Sequence, residues 1–157
     1  PDKNLGRYVK QQVPEKNVML VKGYCPIHEF IKPEEIKALK QKYPKALVLA
    51  HPECNAQVLE MADYIGSTSG ILSKAKESDA NAFIIATEVG VRYELQVQNP
   101  DKQFYFPETL PVCTDMKKIT LDKIIEVLKT GENAADVVKA HVEPAKATLT
   151  RMLELAK

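Results

Sequence analysis

This 157-residue sequence has no tryptophan, only three cysteines, and no apolar run long enough for a membrane span, which needs about 18 residues. An excess of either charge is also missing. Its 22 basic and 21 acidic side chains leave a formal net charge of +1, so there is no electrostatic footprint for nucleic acid or for an anionic membrane surface. The opening Pro-Asp-Lys-Asn has neither a basic n-region nor a hydrophobic h-region, and no signal peptide is expected. Cys25, Cys54 and Cys113 are odd in number, and no pair has C-x-x-C spacing. That argues against a zinc ribbon, a redox motif or a secreted disulfide framework, and a reducing cytoplasm is the expected compartment. Cysteines scattered in this way read first as small buried hydrophobes. The remainder, 45% apolar and 27% charged, is ordinary for one globular domain with an appendage.

Short apolar runs alternate with amphipathic stretches. Residues 17–22 (NVMLVK), 46–50 (ALVLA), 63–65, 82–86 (AFIIA) and 103–106 (QFYF) read as strands. Between them, helices are expected from Pro33 to Tyr43, from a cap at Asn55 to Ala62, from Ser69 to about Ser78, and over 89–98. Strands alternating with helices of about ten residues predict an α/β fold, a three-layer αβα domain with a short parallel sheet. Past Pro111 no strand is expected. Thr120 caps a helix that Gly131 stops, and a second helical stretch starts near Asn133 and should end or kink at Pro144 before resuming over 145–156. The chain therefore closes with a C-terminal helical tail.

The unusual side chains follow the strands. Cys25 and His28 come after the first, His51, Glu53 and Cys54 after the second, Ser67 and Thr68 after the third, Thr87 and Glu88 after the fourth, and Cys113 beyond the fifth. Ligands of open parallel sheets bind outside the carboxyl ends of the strands, so strands sharing one sheet would bring all these groups to one rim. His51-Pro52-Glu53 sets an imidazole beside a carboxylate, a pair suited to acid–base work once its surroundings tune it. The run 66–70 (GSTSG) opening a helix can cradle a phosphate or carboxylate, or simply cap the helix. Cys25 and His28, at i and i+3, form a two-ligand metal fragment to which Cys113 could add a third donor.

Several of these runs together resemble the motifs of quinolinate synthases. They are Gly23-Tyr24-Cys25-Pro26-Ile27-His28-Glu29, Ala50-His51-Pro52-Glu53-Cys54, residues 62–69 (ADYIGSTS), Ala86-Thr87-Glu88 and Cys113-Thr114-Asp115-Met116-Lys117. The opening 1–6 (PDKNLG) and the closing Arg151-Met152-Leu153 also fit, in the same order. The resemblance implies an enzyme of NAD biosynthesis that condenses iminoaspartate with dihydroxyacetone phosphate to quinolinate. It implies three αβα domains around a [4Fe–4S] cluster, held by one cysteine from each domain, with the fourth iron open as a Lewis acid. Carried onto this chain, Cys25 and Cys113 are two cluster ligands and Cys54 is structural. His28, His51, Glu53, Ser67 and Thr68 are expected to bind substrate, with Glu53 and His51 catalytic and Glu53 the general acid/base.

The resemblance covers only the C-terminal half of such an enzyme. Residues 1–16 are then the tail of a preceding domain, 17–115 the third domain, and 116–157 helices that pack back on a missing first domain. The third cluster thiolate must come from outside this chain, which is expected to be inactive alone. Its expected partners are the missing N-terminal half and, upstream, an aspartate oxidase or dehydrogenase. Two other readings stay open: a non-catalytic α/β domain that keeps the motifs, and a zinc-binding hydrolase built on Cys25, His28 and a further ligand.

Overall fold

Residues 2–156 are described by a computed structural model; Pro1 and Lys157, the outermost residues of the first and last expected segments, lie outside the described residues. In chain order the elements begin with helices α1 (Lys3–Gln12), α2 (Pro26–Glu29) and α3 (Pro33–Lys42), then strand β1 (Leu47–Ala50), α4 (Ala56–Glu60) and β2 (Tyr64–Ile65). They continue with α5 (Thr68–Glu77), β3 (Ala82–Ala86), α6 (Arg92–Gln98), β4 (Gln103–Tyr105), α7 (Leu121–Thr130) and α8 (Lys139–Leu155). The chain divides into two units, one ending at Thr114 and one starting at Asp115.

In the first unit the four strands form a parallel sheet in the order β2-β1-β3-β4. β1 and β3 are the central pair, in register from Leu47 opposite Phe83 to Ala50 opposite Ala86. Because strand side chains alternate between faces, each central strand feeds two cores. Val48, Ala50, Ile84 and Ala86 pack with Ile36 of α3 and Val58 of α4. Leu49, Phe83 and Ile85 pack with Ile71 and Ala75 of α5 and Leu95 of α6. Helices thus cover both faces, which is the expected αβα arrangement. Each Val, Leu, Ile or Phe side chain buried this way contributes about 1.5–3 kcal/mol.

The connections set up the site. β1 leads through α4, on one face, to β2 at one margin, whereas β3 leads through α6, on the other face, to β4 at the opposite margin. The chain leaving β1 and the chain leaving β3 therefore diverge, and between their carboxyl ends lies the crevice of a topological switch point.

The expected strand over 17–22 does not form. This stretch is irregular, and Met19, Leu20 and Val21 are 79%, 45% and 62% exposed. An apolar run becomes a strand only where it pairs with another strand, and the sheet ends at β2 and β4 without taking this one in. Cys25 and His28 reach the rim on the one-turn helix α2 instead. Residues 1–16, for which no element was expected or excluded, contain α1. Asp2 caps that helix, its Oδ1 accepting the Leu5 N–H at 2.7 Å.

In the second unit, Thr120 caps α7 by accepting the Lys123 N–H, and Gly131 ends it in the left-handed conformation at φ 68°. The helical stretch expected from Asn133 begins only at Lys139; Asn133 has φ 62°, outside the helical region, and 134–138 are irregular. Pro144, expected to end or kink that helix, lies inside an unbroken α8. Every described residue of this unit is exposed, including Ile124, Leu128 and Leu153. No helix among the described residues is long and apolar enough to cross a membrane.

Candidate functional site

The groups at the switch point are brought there by short-range geometry. Register continues past the strand ends, since the His51 N–H donates to the Ala86 carbonyl at 3.0 Å, so His51 and Thr87 stand side by side at the crevice. A tight turn follows, with the Cys54 N–H bonded to the His51 carbonyl at 3.0 Å and the Glu53 N–H donated to His51 Nδ1 at 3.3 Å. This folds the Glu53 carboxylate back toward the imidazoles. On the facing wall Pro26 opens α2, and Cys25 at its N-cap makes no capping bond through its side chain. The i, i+3 spacing then sets Cys25 and His28 on one side of the turn.

His28 is the hub. It is only 7% exposed, its ring stacks on His51 at 4.4 Å, and its two nitrogens face different partners. Nδ1 lies 3.1 Å from Cys25 Sγ and 3.1 Å from Glu53 Oε2, and Nε2 lies 3.0 Å from Thr87 Oγ1. A carboxylate can only accept, so Nδ1 carries the hydrogen and Nε2 accepts from the Thr87 hydroxyl. Burial, reinforced by the neighbouring His51, pulls His28 from 6.5 down to about 4, against the opposite pull of Glu88 and Asp2. The ring is therefore neutral near pH 7, and its contact with Glu53 is a hydrogen bond rather than an ion pair. His51 is also lowered, burial outweighing the carboxylates of Glu53 and Asp2; its Nδ1 lies 3.5 Å from Glu53 Oε2.

Residues distant in sequence hold these loops. Asp2 Oδ2 accepts the Cys25 N–H at 3.2 Å. Asn4, 2% exposed, donates one amide hydrogen to Glu29 Oε2 at 2.7 Å and the other to the Glu53 carbonyl at 3.1 Å. Lys3 pairs with the other oxygen of Glu29. Asn55, besides capping α4, donates to the carbonyls of Glu29 and Ile31 at 3.0 and 2.9 Å and so fastens α2 to α4. Across the crevice, Glu88 accepts the Gly90 N–H at 2.6 Å and the Cys113 N–H at 3.1 Å, and the Val89 N–H donates to the Pro111 carbonyl. Cys113 is thereby tied to the chain leaving β3.

Among the residues expected at the site, Cys25, His28, His51 and Glu53 come together. Ser67 and Thr68 lie exposed at the head of α5, where the Ser67 hydroxyl is used in capping, accepting the Gly70 N–H at 3.2 Å. The glycines of that run have a packing reason. A Cβ on Gly66 would come within 2.5–2.7 Å of the Tyr64 ring, and one on Gly70 within 2.6 Å of its hydroxyl. Thr87 and Glu88 were placed on the rim by the strand-end argument, but their partners were not readable. Asp2, Asn4 and Glu29 fall in the motif runs but were given no role, since local pattern carries no sign of contacts made 23 to 49 positions away.

The donor set can be tested against metals. The ligand atoms of Cys25, His28 and Glu53 all lie within 4.8 Å of one another. None of the three cysteines is in a disulfide. Cys54 is 1% exposed, its thiol donates to the Ala86 carbonyl at 3.3 Å, and burial pushes it up to about 12. It is therefore withdrawn from the thiolate chemistry that iron–sulfur clusters require. Cys25 and Cys113 are both half-buried, so their thiols are less withdrawn from solvent than that of Cys54. A cavity of about 200 Å³ between α1 and α4 has Asn4, Arg7 and Cys54 in its wall but none of Cys25, His28, His51 or Glu53.

Comparison with known proteins shows the family. The family model described as "Quinolinate synthetase A protein" matches residues 1–154. A quinolinate synthase of Clostridioides difficile is 47% identical over 157 residues, covering 100% of this chain and 52% of the relative. One from Caldicellulosiruptor saccharolyticus is 44% identical over 156 residues (99% and 52%), and one from Aquifex aeolicus is 44% identical over 161 residues (99% and 50%). The chain spans about half the length of the curated relatives it matches. With a family match over nearly its whole length and the motif residues gathered at one switch point, this chain belongs to the quinolinate synthetase A family.

Proposed function

We propose that this chain is the C-terminal half of a quinolinate synthase. Its role would lie in NAD biosynthesis in a reducing cytoplasm: condensation of iminoaspartate with dihydroxyacetone phosphate to quinolinate, with loss of phosphate and water. The observation that carries the reading is the family match over 1–154 falling on a chain whose Cys25, His28, His51 and Glu53 converge at the switch point. Cys25 and Cys113 would supply two thiolates to a [4Fe–4S] cluster, and the missing N-terminal half the third. When bound, the cluster supplies a Lewis-acidic open iron that assists loss of water.

The chain's own residues then divide the remaining work. The Glu53 carboxylate, half-buried and backed by two neutral imidazoles, takes protons from and returns them to substrate carbon and nitrogen as the ring closes. His28 holds a hydrogen at Nδ1 for a substrate carboxylate or carbonyl oxygen, kept in that orientation by Thr87. His51 stacks behind it; its Nδ1 accepts the Glu53 N–H, which leaves its ring hydrogen at Nε2 for substrate. Thr68, with Ser67 at the head of α5, would receive a carboxylate or phosphate at the positive end of that helix. The exposed Ile124, Leu128 and Leu153 support a second unit that packs on the missing half. An aspartate oxidase or dehydrogenase would provide iminoaspartate. Alone, with two cluster thiolates, the chain is expected to be inactive.

The test joins this chain to the missing half and measures iron, acid-labile sulfide and quinolinate formation without oxygen. Cys25→Ser and Cys113→Ser should each lose the iron, and Cys54→Ser should keep it. Glu53→Gln should keep the iron while turnover falls by about 10²–10⁴. Iron lost from Cys54→Ser, or turnover unchanged in Glu53→Gln, would overturn the assignment.

A further inference from the structure

We infer that Cys25, His28 and Glu53 form a mononuclear site for a zinc-class divalent ion, separate in its requirements from the cluster although it shares the Cys25 thiolate. The inference rests on the reading of Cys25 as a metal ligand but not on the cluster itself. A four-coordinate zinc ion with bonds of about 2.0–2.3 Å holds its ligand atoms about 3.3–3.8 Å apart. Here His28 Nδ1 is 3.1 Å from both Cys25 Sγ and Glu53 Oε2, and all three atoms lie within 4.8 Å of one another. A shift of about an ångström at most, between Cys25 Sγ and Glu53 Oε2, brings the triad to ligand spacing. Sulfur, imidazole nitrogen and carboxylate oxygen are the three donor types that zinc accepts, and three protein ligands leave one coordination position open.

The surroundings of His28 suit a metal ligand. Histidines that bind a metal through one nitrogen nearly always donate the other N–H to an oxygen that fixes the ring. The Thr87 hydroxyl stands 3.0 Å from Nε2, and that contact is buried. Metal binding at Nδ1 moves the ring hydrogen to Nε2, where it is donated to Thr87 Oγ1, and the hydroxyl turns its own hydrogen away. The Cys25 thiol releases its proton to solvent as sulfur binds the ion. The other loops of the triad are already tied down: Asp2 holds the Cys25 backbone and Asn4 the Glu53 backbone. The site is thus assembled on rigid attachments before an ion arrives. Since one thiolate cannot serve both groups, a zinc-filled triad blocks assembly of the cluster, and the metal that reaches Cys25 first decides which form results.

Cobalt(II) is the probe, because it takes zinc sites and reports thiolate ligation by a near-ultraviolet charge-transfer band. The full chain, stripped of metal by a chelator and kept reduced and oxygen-free, is titrated with Co²⁺ and then with Zn²⁺. One equivalent of Co²⁺ should bind with the charge-transfer band and four-coordinate visible bands, and one equivalent of Zn²⁺ should abolish both. Cys25→Ser should lose the charge-transfer band, and Thr87→Val should keep it while affinity falls by about 10–100-fold. Cys113→Ser should bind as the parent does, which separates this site from the cluster, where Cys113 is required. Circular dichroism verifies that each variant is folded. No stoichiometric binding by the folded parent, or a band that survives Cys25→Ser, would overturn the inference and leave the cluster assignment standing. A band lost in folded Cys113→Ser would overturn it in favour of a two-cysteine site.

Discussion

Asn4 offers the sharpest test of how the site is held. Its side-chain amide is buried at 2% exposure and spends both hydrogens, one on the Glu29 carboxylate at 2.7 Å and one on the Glu53 carbonyl at 3.1 Å. Asn4→Ala removes both donors. A bond to a charged acceptor contributes about 1.5–3 kcal/mol and one to a neutral carbonyl about 0.5–1.5 kcal/mol. The Glu29 side chain is 21% exposed and keeps Lys3 as a partner, so water and the ammonium recover part of the first loss. The expected net cost is then about 2 kcal/mol, or a fall of roughly 4–8 °C in melting temperature for a chain of this size. Urea unfolding of the metal-free protein, followed by far-ultraviolet circular dichroism, gives the free energy. Amide exchange at Glu53 and Cys54 gives the local effect, which should be faster because their turn has lost its anchor. A change below about 0.5 kcal/mol, with exchange unaltered, would refute the idea that α1 holds the Glu53 loop.

Other consequences can be checked with simple measurements. In metal-free native protein a thiol reagent should label Cys25 and Cys113 quickly and Cys54 only on unfolding, since burial holds that thiol at about 12; fast labelling of all three would contradict its place in the core. Ile84, fully buried on β3, should cost about 2–5 kcal/mol as alanine and about 0.5–1.5 kcal/mol as valine, and equal losses in a denaturation series would mean that its packing has been misjudged. For Glu35, burial alone would raise the carboxyl, but the hydroxyl and N–H of Thr109, together with Lys32, hold it below 4.5. A depressed carboxyl adds stability above its unfolded value and loses it as pH falls through the folded one. Glu35→Gln should therefore be less stable than the parent at pH 7 but lose less on acidification below pH 4.5, and parallel stability–pH curves would exclude that tie.

Much of this molecule was legible from local pattern. ALVLA and AFIIA (46–50 and 82–86) were strands because a central strand is buried on both faces and needs no alternation. Asn55, Thr120 and Gly131 marked helix ends because their chemistry acts within one turn. The strand-end argument took His51, Glu53, Thr87 and Glu88 to one rim for the same kind of reason. NVMLVK (17–22) failed because an apolar run does not say whether a partner strand exists. The helix expected from Asn133 starts six residues later, and Asn133 itself is left-handed, a conformation that the periodicity of apolar residues does not reveal. The bonds of Asp2 and Asn4 to the Cys25 and Glu53 loops were invisible because long-range contacts leave no periodicity behind them.

The brevity of the outer strands has a consequence for how this protein keeps company. A sheet margin is a row of unpaired backbone groups, and a long flat one acts as a template on which any extended chain can crystallise. Here the margins are the two residues of β2 and the three of β4, while the longer strands are enclosed between them. Such short hems give an incoming strand too few rungs to hold. Association with another polypeptide, wanted or unwanted, must then be made by side chains of helices and loops, where shape and charge can discriminate, rather than by backbone pairing, which cannot tell one sequence from another.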